Sequence, residues 1–134
     1  MEGAEAVRET ILVVDDEDAV RLTLVKLLEL EGFRTLQARD GSEAVHVFAE
    51  RSRDVTAVTL DLSMPTTSGR ETLKMLSEYA PTLPIVIATA LPLPSDLIGR
   101  IPGTPGVRYL QKPFSSRELA RELRRVIAEM HGGS

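Results

Sequence analysis

The sequence contains no cysteine, which excludes both a disulfide scaffold and a metal site built from thiolates. It has no apolar run approaching the roughly 20 residues that a membrane-spanning helix needs. The residues from Met1 to Thr10 are polar and acidic, and they lack the basic and apolar regions of a signal peptide. These absences predict a protein of the reducing cytoplasm that does not bind a membrane.

Positive charge does not predominate, since 16 lysines and arginines face 20 acidic residues and the net charge at pH 7 is −4. Contacts with nucleic-acid phosphates need clustered cations, so we expect no direct nucleic-acid binding. Some arginines do cluster near the C-terminus, but the glutamates among them indicate a solvated helix face. The chain also lacks a glycine-rich phosphate loop, which argues against a GTPase or a kinase. The clustered arginines are Arg117, Arg121, Arg124 and Arg125.

The chain of 134 residues suits one domain with a proper core, and its 43% hydrophobic and 27% charged residues are ordinary for a globular protein. Strand-like and helical segments alternate, which predicts βαβ units and a parallel sheet. We expect a flavodoxin-like, doubly wound α/β fold with five strands in the order 2-1-3-4-5. The domain should cover residues 10–130, with a tail or linker at 1–9 and a flexible C-terminus at 131–134.

The predicted strands cover residues 10–14, 33–38, 56–60, 84–88 and 107–110. The first helix should span about residues 17–31 with Val20, Leu24, Leu27 and Leu28 on its apolar face. Capping boxes at Asp40–Glu43 and Ser115–Glu118 should open two others. Residues 91–106 break the regularity, because four prolines and three glycines leave little room for a helix. We therefore predict a shortened or irregular fourth helix of at most about two turns.

Polar groups suited to phosphoryl chemistry follow four of the strand-like segments. Asp15 and Asp16 follow the first, Asp61 the third, Thr89 the fourth and Lys112 the fifth. In an open parallel sheet the carboxyl ends of the strands share one edge, where ligands bind. Three close carboxylates repel one another, and Mg²⁺ relieves that repulsion. A hydroxyl and an ammonium group can then help to balance an attached phosphoryl group.

Each of these residues also has a plainer interpretation when it is taken alone. Asp15 and Asp16 could cap the first helix, although one acid is enough for a cap. Thr89 could be an ordinary hydroxyl at the end of a strand, and Lys112 an ordinary surface lysine. Only the joint pattern favours Mg²⁺-assisted phosphoryl transfer to Asp61.

Four segments resemble the receiver domain of two-component response regulators, in the right order and at the right separations. The resemblance covers about residues 10–130, and receivers of hybrid sensor kinases are similar at Glu9–Glu17 and from Met64 to Leu73. The four segments are Ile11–Glu17, Asp61–Gly69, Thr89–Ala90 and Tyr109–Phe114.

The resemblance implies that Asp61 accepts a phosphoryl group from a sensor histidine kinase or a phosphotransfer domain. It implies that Asp15, Asp16 and Asp61 hold Mg²⁺ together with the backbone carbonyl of Ser63. It further implies that Lys112 and Thr89 bind the phosphoryl group, that Thr89 and Tyr109 form the switch, and that Lys112–Pro113 is a cis peptide. The output partner is not implied.

Two other classes compete with this interpretation. An aspartate-nucleophile phosphatase needs an acid two residues after the nucleophile, and Ser63 occupies that position. A pseudo-receiver that binds partners without taking phosphate is disfavoured by the intact acids, threonine and lysine. We therefore expect a signalling domain rather than an enzyme, with only self-catalysed phosphotransfer and autodephosphorylation.

Overall fold

Helices and strands alternate along the residues that the computed structural model describes, which are 9–61, 69–89 and 105–131. The strands are β1 (Thr10–Val14), β2 (Arg34–Ala38), β3 (Val55–Asp61), β4 (Ile85–Thr89) and β5 (Val107–Gln111). The helices are α1 (Asp18–Leu30), α2 (Gly41–Arg51), α3 (Gly69–Tyr79) and α4 (Ser116–His131).

The strands form one parallel sheet in the order β2-β1-β3-β4-β5. This confirms the predicted doubly wound α/β fold and its strand order. Strand β1 is buried along its whole length and β3 along nearly all of it, because helices cover both faces of the sheet. The central strands β1 and β3 are neighbours, so their carboxyl ends lie side by side.

Alternate residues of the central strands point to opposite faces of the sheet and build two apolar layers. One layer packs under α2 and α3, and the other packs under α1 and α4. The first includes Leu12, Val14, Leu60, Ile87, Ala44, Phe48, Leu73 and Leu76. The second includes Ile11, Val13, Ala57, Val86, Leu28, Leu119 and Leu123.

The predicted capping box at Ser115–Glu118 is complete, whereas the one at Asp40–Glu43 is half-formed, because the Glu43 carboxylate accepts from the Arg39 N–H at 2.6 Å. The Asp40 carboxylate accepts a hydrogen bond from the Glu43 N–H at 2.8 Å. The Ser115 hydroxyl accepts one from the Glu118 N–H at 3.0 Å, and the Glu118 carboxylate accepts one from the Ser115 N–H at 2.7 Å. These side chains satisfy N–H groups that have no partner within the helix.

Two residues assigned to the termini belong to the fold instead. The carbonyl of Glu9 accepts a hydrogen bond from the Arg34 N–H at 2.9 Å, which extends the pairing of β1 with β2 by one residue. His131 is the last residue of α4 rather than part of a flexible C-terminus, and a basic side chain suits a helix C-terminus. The predicted short fourth helix falls mainly on residues 90–104, which lie outside the described residues.

The turn between α1 and β2 depends on Gly32. The Phe33 N–H donates to the Leu28 carbonyl and the Gly32 N–H to the Glu29 carbonyl, each at 3.1 Å. This pair of hydrogen bonds ends the helix and requires a residue in the left-handed backbone conformation. Gly32 supplies it with a φ of 101°.

Replacing Gly32 by alanine should therefore destabilise the fold by about 1–2 kcal/mol, because a Cβ is strained in the left-handed region. Urea denaturation measures the change. The Gly41→Ala chain is the control, since Gly41 opens α2 and does not have a positive φ. Equal losses of stability in the two chains would contradict the prediction.

Candidate functional site

Three carboxylates converge at the carboxyl edge of the sheet. Asp15 and Asp16 follow β1, and Asp61 is the last residue of β3. Each offers a carboxylate oxygen, and these oxygens all lie within 4.8 Å of one another. Asp15 and Asp61 are only 2% and 5% exposed, while Asp16 is half-buried. The structure thus brings together the acids that the sequence placed at one edge.

The surroundings of Asp15 shift the pKa of its carboxyl. Burial raises the pKa of its carboxyl above the ordinary 3.8, and the charges of Asp61 and Asp16 add to the rise. The Glu17 N–H, which donates to Asp15 Oδ1 at 3.0 Å, and the Lys112 ammonium oppose that rise in pKa. The N-cap residue of α1 is Glu17, so neither Asp15 nor Asp16 occupies the cap position. The elevated pKa thus reflects first the cost of burying this carboxylate and second the nearness of two other anions.

This raised pKa predicts the pH dependence of the metal-free chain. Between the unfolded and folded pKa values the native state keeps a proton that the unfolded chain has lost, so stability falls as pH rises through the folded pKa. At neutral pH the chain is therefore less stable than it would be without the burial of the Asp15 carboxyl. An Asp15→Asn chain should then unfold at higher urea concentration than the unsubstituted chain, and the difference should shrink towards pH ~4.

The measurement is urea denaturation in EDTA at several pH values. A Glu78→Gln chain, which loses one exposed acid on α3, controls for the change in net charge. Equal stability of the Asp15→Asn and unsubstituted chains at neutral pH would show that Asp15 carries no such strain.

Lys112 brings a positive charge to the same place. It follows β5, and its Nζ lies 3.8 Å from Asp61 Oδ2. The Lys112 side chain is 29% exposed, whereas that of Asp61 is 6% exposed. Lys112–Pro113 is a cis peptide, as the family resemblance implies. Asp15, Asp61 and Lys112 line one depression, together with apolar residues that include Val13 and Leu24.

The remaining predicted residues are placed less completely. Thr89 ends β4 opposite Gln111, so its backbone lies at the same edge, one residue past the Ala88 that pairs with Asp61. Its side chain lies outside the described residues, as does all of Ser63. Tyr109 is half-buried on β5 and packs against the apolar layer under α2 and α3.

Two buried polar residues near the site were missed by sequence reasoning. Thr59 is 2% exposed on β3 and lines the same depression as Asp61. Arg21 is 7% exposed on α1 and contacts the Asp15 backbone. Arg21 stands at helical spacing from Leu24 and Leu28, and a charged residue on an apolar stripe is the signal that could have found it. Leu27, which was assigned to that stripe, is 36% exposed.

Residues 11–124 match a model of the response regulator receiver domain. The chain belongs to this family. Receiver domains interact with histidine kinases or phosphotransfer proteins, so the match supports the expected class of partner.

The helices that the structure describes include none with both the length and the apolar character of a membrane span.

Known proteins agree with this assignment. The transcriptional regulatory protein CpxR of Escherichia coli K12 is 34% identical over 122 residues, which cover 90% of this chain and 50% of CpxR. A receiver domain protein from Clostridium thermocellum has a TM-score of 0.80 and 27% identity, covering 94% of this chain and 99% of that one. The receiver domain of the hybrid histidine kinase CckA has a TM-score of 0.72 and 30% identity, covering 88% and 98%.

The receiver domain spans about half the length of the curated relatives it matches. Those relatives are named as transcriptional regulators, so the expectation that this protein makes no contact with nucleic acid is not supported. The resemblance to receivers of hybrid sensor kinases stays a prediction.

Proposed function

We propose that this receiver domain accepts a phosphoryl group on Asp61 from the phosphohistidine of a sensor histidine kinase or phosphotransfer domain, with Mg²⁺, and so switches its protein contacts. The observation that carries the proposal is the convergence of the Asp15, Asp16 and Asp61 carboxylates beside the Lys112 ammonium. Family membership supports it independently.

The donor set fits Mg²⁺. All three ligating groups are carboxylate oxygens, which hard cations prefer, and their spacing within 4.8 Å lets one ion contact them. Burial is the largest cause of the raised pKa of Asp15, and the charges of Asp61 and Asp16 add repulsion that a cation would relieve. The carbonyl of Ser63 would complete the protein ligands. When bound, Mg²⁺ neutralises charge on the phosphoryl oxygens.

The chain's own groups can then carry the transfer. A carboxylate oxygen of Asp61 attacks the phosphorus, a P–O bond forms as the P–N bond to histidine breaks, and the imidazole leaves with the bonding pair. Lys112 stands 3.8 Å from Asp61 and can balance the charge of the attached group. The burial of Asp61 limits the approach of water. The domain thus acts as a phosphoacceptor whose only catalysis is its own phosphotransfer and dephosphorylation.

Thr89 and Tyr109 would convert the new charge into altered contacts, with the Thr89 hydroxyl donating to the phosphoryl group. Support for this switch is that Thr89 lies on β4, which pairs with the strand of Asp61, and that Tyr109 lies on β5, which pairs with β4. The output partner is open. A phosphohistidine donor and Mg²⁺ fit a cytoplasmic setting.

The direct test incubates the chain with a small phosphodonor and Mg²⁺ and measures its intact mass. We expect an increase by one phosphoryl group, reversed on standing or by hydroxylamine, which cleaves acyl phosphates. A chain that never gains this mass, from a small donor or from any histidine kinase offered, would favour the pseudo-receiver alternative.

A Lys112→Ala substitution should separate phosphorylation from its structural effect. Labelling of Asp61 should persist, but the coupling between the phosphoryl group and the conformation should weaken by about 10- to 100-fold, since a charge-assisted bond contributes about 1.5–3 kcal/mol. The readout is the change in the NMR spectrum of Tyr109 on phosphorylation. A Lys74→Ala chain, which loses an exposed lysine on α3, is the control. An unaltered Tyr109 response in Lys112→Ala would contradict this role.

A further inference from the structure

Arg21 is a buried cation next to the acidic site. Among the described residues, the charged side chains that are buried are Asp15, Arg21 and Asp61. Burying a guanidinium is unfavourable unless its N–H groups are all paired. Arg21 lies in the first turn of α1, on the side of the helix that faces the interior of the protein.

The guanidinium is paired on three sides. Its Nη1 donates to the Asp15 carbonyl oxygen at 3.0 Å, and its Nε donates to Gln37 Oε1 at 3.0 Å. Its Nη2 contacts Asp18 Oδ1 at 2.6 Å. One planar group thus ties together the end of β1, the end of β2 and the start of α1. The fixed fork of an arginine suits this task, whereas a lysine offers a single compact charge.

These contacts fix the residue that is proposed to hold the ion. Asp15 is tied through its N–H to the Ala38 carbonyl at 3.2 Å, through its carbonyl to Arg21 and through Oδ1 to the Glu17 N–H. Its backbone therefore has little freedom to turn before an ion arrives. Holding a ligand in its binding geometry removes an ordering cost from the binding step.

We propose that Arg21 is a positioning residue of the Mg²⁺ site, acting through the Asp15 backbone. The inference rests on the proposed function, because it concerns the same acids. The guanidinium also carries a positive charge. The carboxylate of Asp18 lies 2.6 Å from Nη2 and offsets this charge, so its electrostatic effect on the three acids of the site is reduced.

Charge repulsion and positioning by Arg21 predict opposite changes in Mg²⁺ affinity when Arg21 is replaced. A cation near the site repels Mg²⁺, so if charge were the main effect, removing Arg21 would tighten Mg²⁺ binding. If positioning is the main effect, removing Arg21 weakens it, and losing a group that orients a metal ligand typically costs about 10- to 100-fold in affinity. The direction of the change in dissociation constant therefore decides between them.

The experiment is calorimetric titration of the chain with MgCl₂, below its unfolding transition. Arg21→Met, which keeps an apolar stem and loses the fork, should bind Mg²⁺ about 10- to 100-fold more weakly. Arg21→Lys keeps the charge and loses the fork, and it should bind more weakly than the unsubstituted chain. Arg108 lies on β5 and forms an ion pair with Glu129 on α4. Arg108→Met removes an equal positive charge away from the site, and it should leave the Mg²⁺ affinity unchanged.

The outcomes are separable. If the Arg21→Met chain binds Mg²⁺ as tightly as the unsubstituted chain, or more tightly, the positioning role is overturned. If Arg21→Met does not fold, Arg21→Lys decides in the same way, and an unchanged dissociation constant overturns the proposal. If the unsubstituted chain takes up no Mg²⁺, it is the proposed function that fails.

Discussion

An Asp61→Asn chain should take up no phosphoryl group from a small phosphodonor, even at saturating Mg²⁺. The amide is close to isosteric with the carboxylate but is a poor nucleophile, and it cannot form the acyl phosphate. Asp15 and Asp16 stand within 4.8 Å of Asp61, so the test also asks whether a neighbouring acid can replace it. We expect none to do so, because Asp61 is the acid that faces Lys112 at 3.8 Å. Intact mass measures the result.

An Asp54→Asn chain is the matched control, since it loses an exposed acid that pairs with Arg51 near the start of β3. It should label like the unsubstituted chain. Circular dichroism should show the same fold in both variants. If Asp61→Asn gains the phosphoryl mass at the normal rate, another residue is the acceptor and the assignment of Asp61 is wrong.

The convergence of the acids could be predicted because the strand order of the sheet decides which strand ends are neighbours. Asp15 and Asp61 are far apart in the chain, but each ends a strand, and parallel strands that are neighbours end at the same edge. The prediction needed only the strand order. The same reasoning placed Lys112 and the backbone of Thr89 at that edge, without fixing any distance.

Arg21 shows where such reasoning stops. The predicted apolar face of α1 combined Leu24 and Leu28, which share a stripe with Arg21, with Leu27, which is 36% exposed. The rotation of α1 against the sheet decides which side is buried, and that rotation depends on partners such as Gln37 in β2. A local pattern carries no information about those partners.

Removing Mg²⁺ should slow the labelling of Asp61 by at least about 100-fold. Attack on a phosphodonor brings its negative charge among three carboxylates whose oxygens lie within 4.8 Å of one another. At such separations each like-charge pair costs about 1 kcal/mol in water and about 4 kcal/mol near a protein surface. Lys112 offers one positive charge against these anions. A barrier higher by about 2.7 kcal/mol already corresponds to 100-fold in rate.

The comparison is between labelling in MgCl₂ and labelling in EDTA with NaCl added to equal ionic strength. NaCl should not rescue the rate, because the screening length at about 0.1 M salt is ~10 Å, longer than the spacing within the acid cluster. An Asp16→Asn chain should need at least about 10-fold more Mg²⁺ for half-maximal labelling, since it loses a ligand as well as a charge. Equal rates in EDTA and in MgCl₂ would show that Lys112 alone balances the charge, and the three acids would then need an explanation other than a metal.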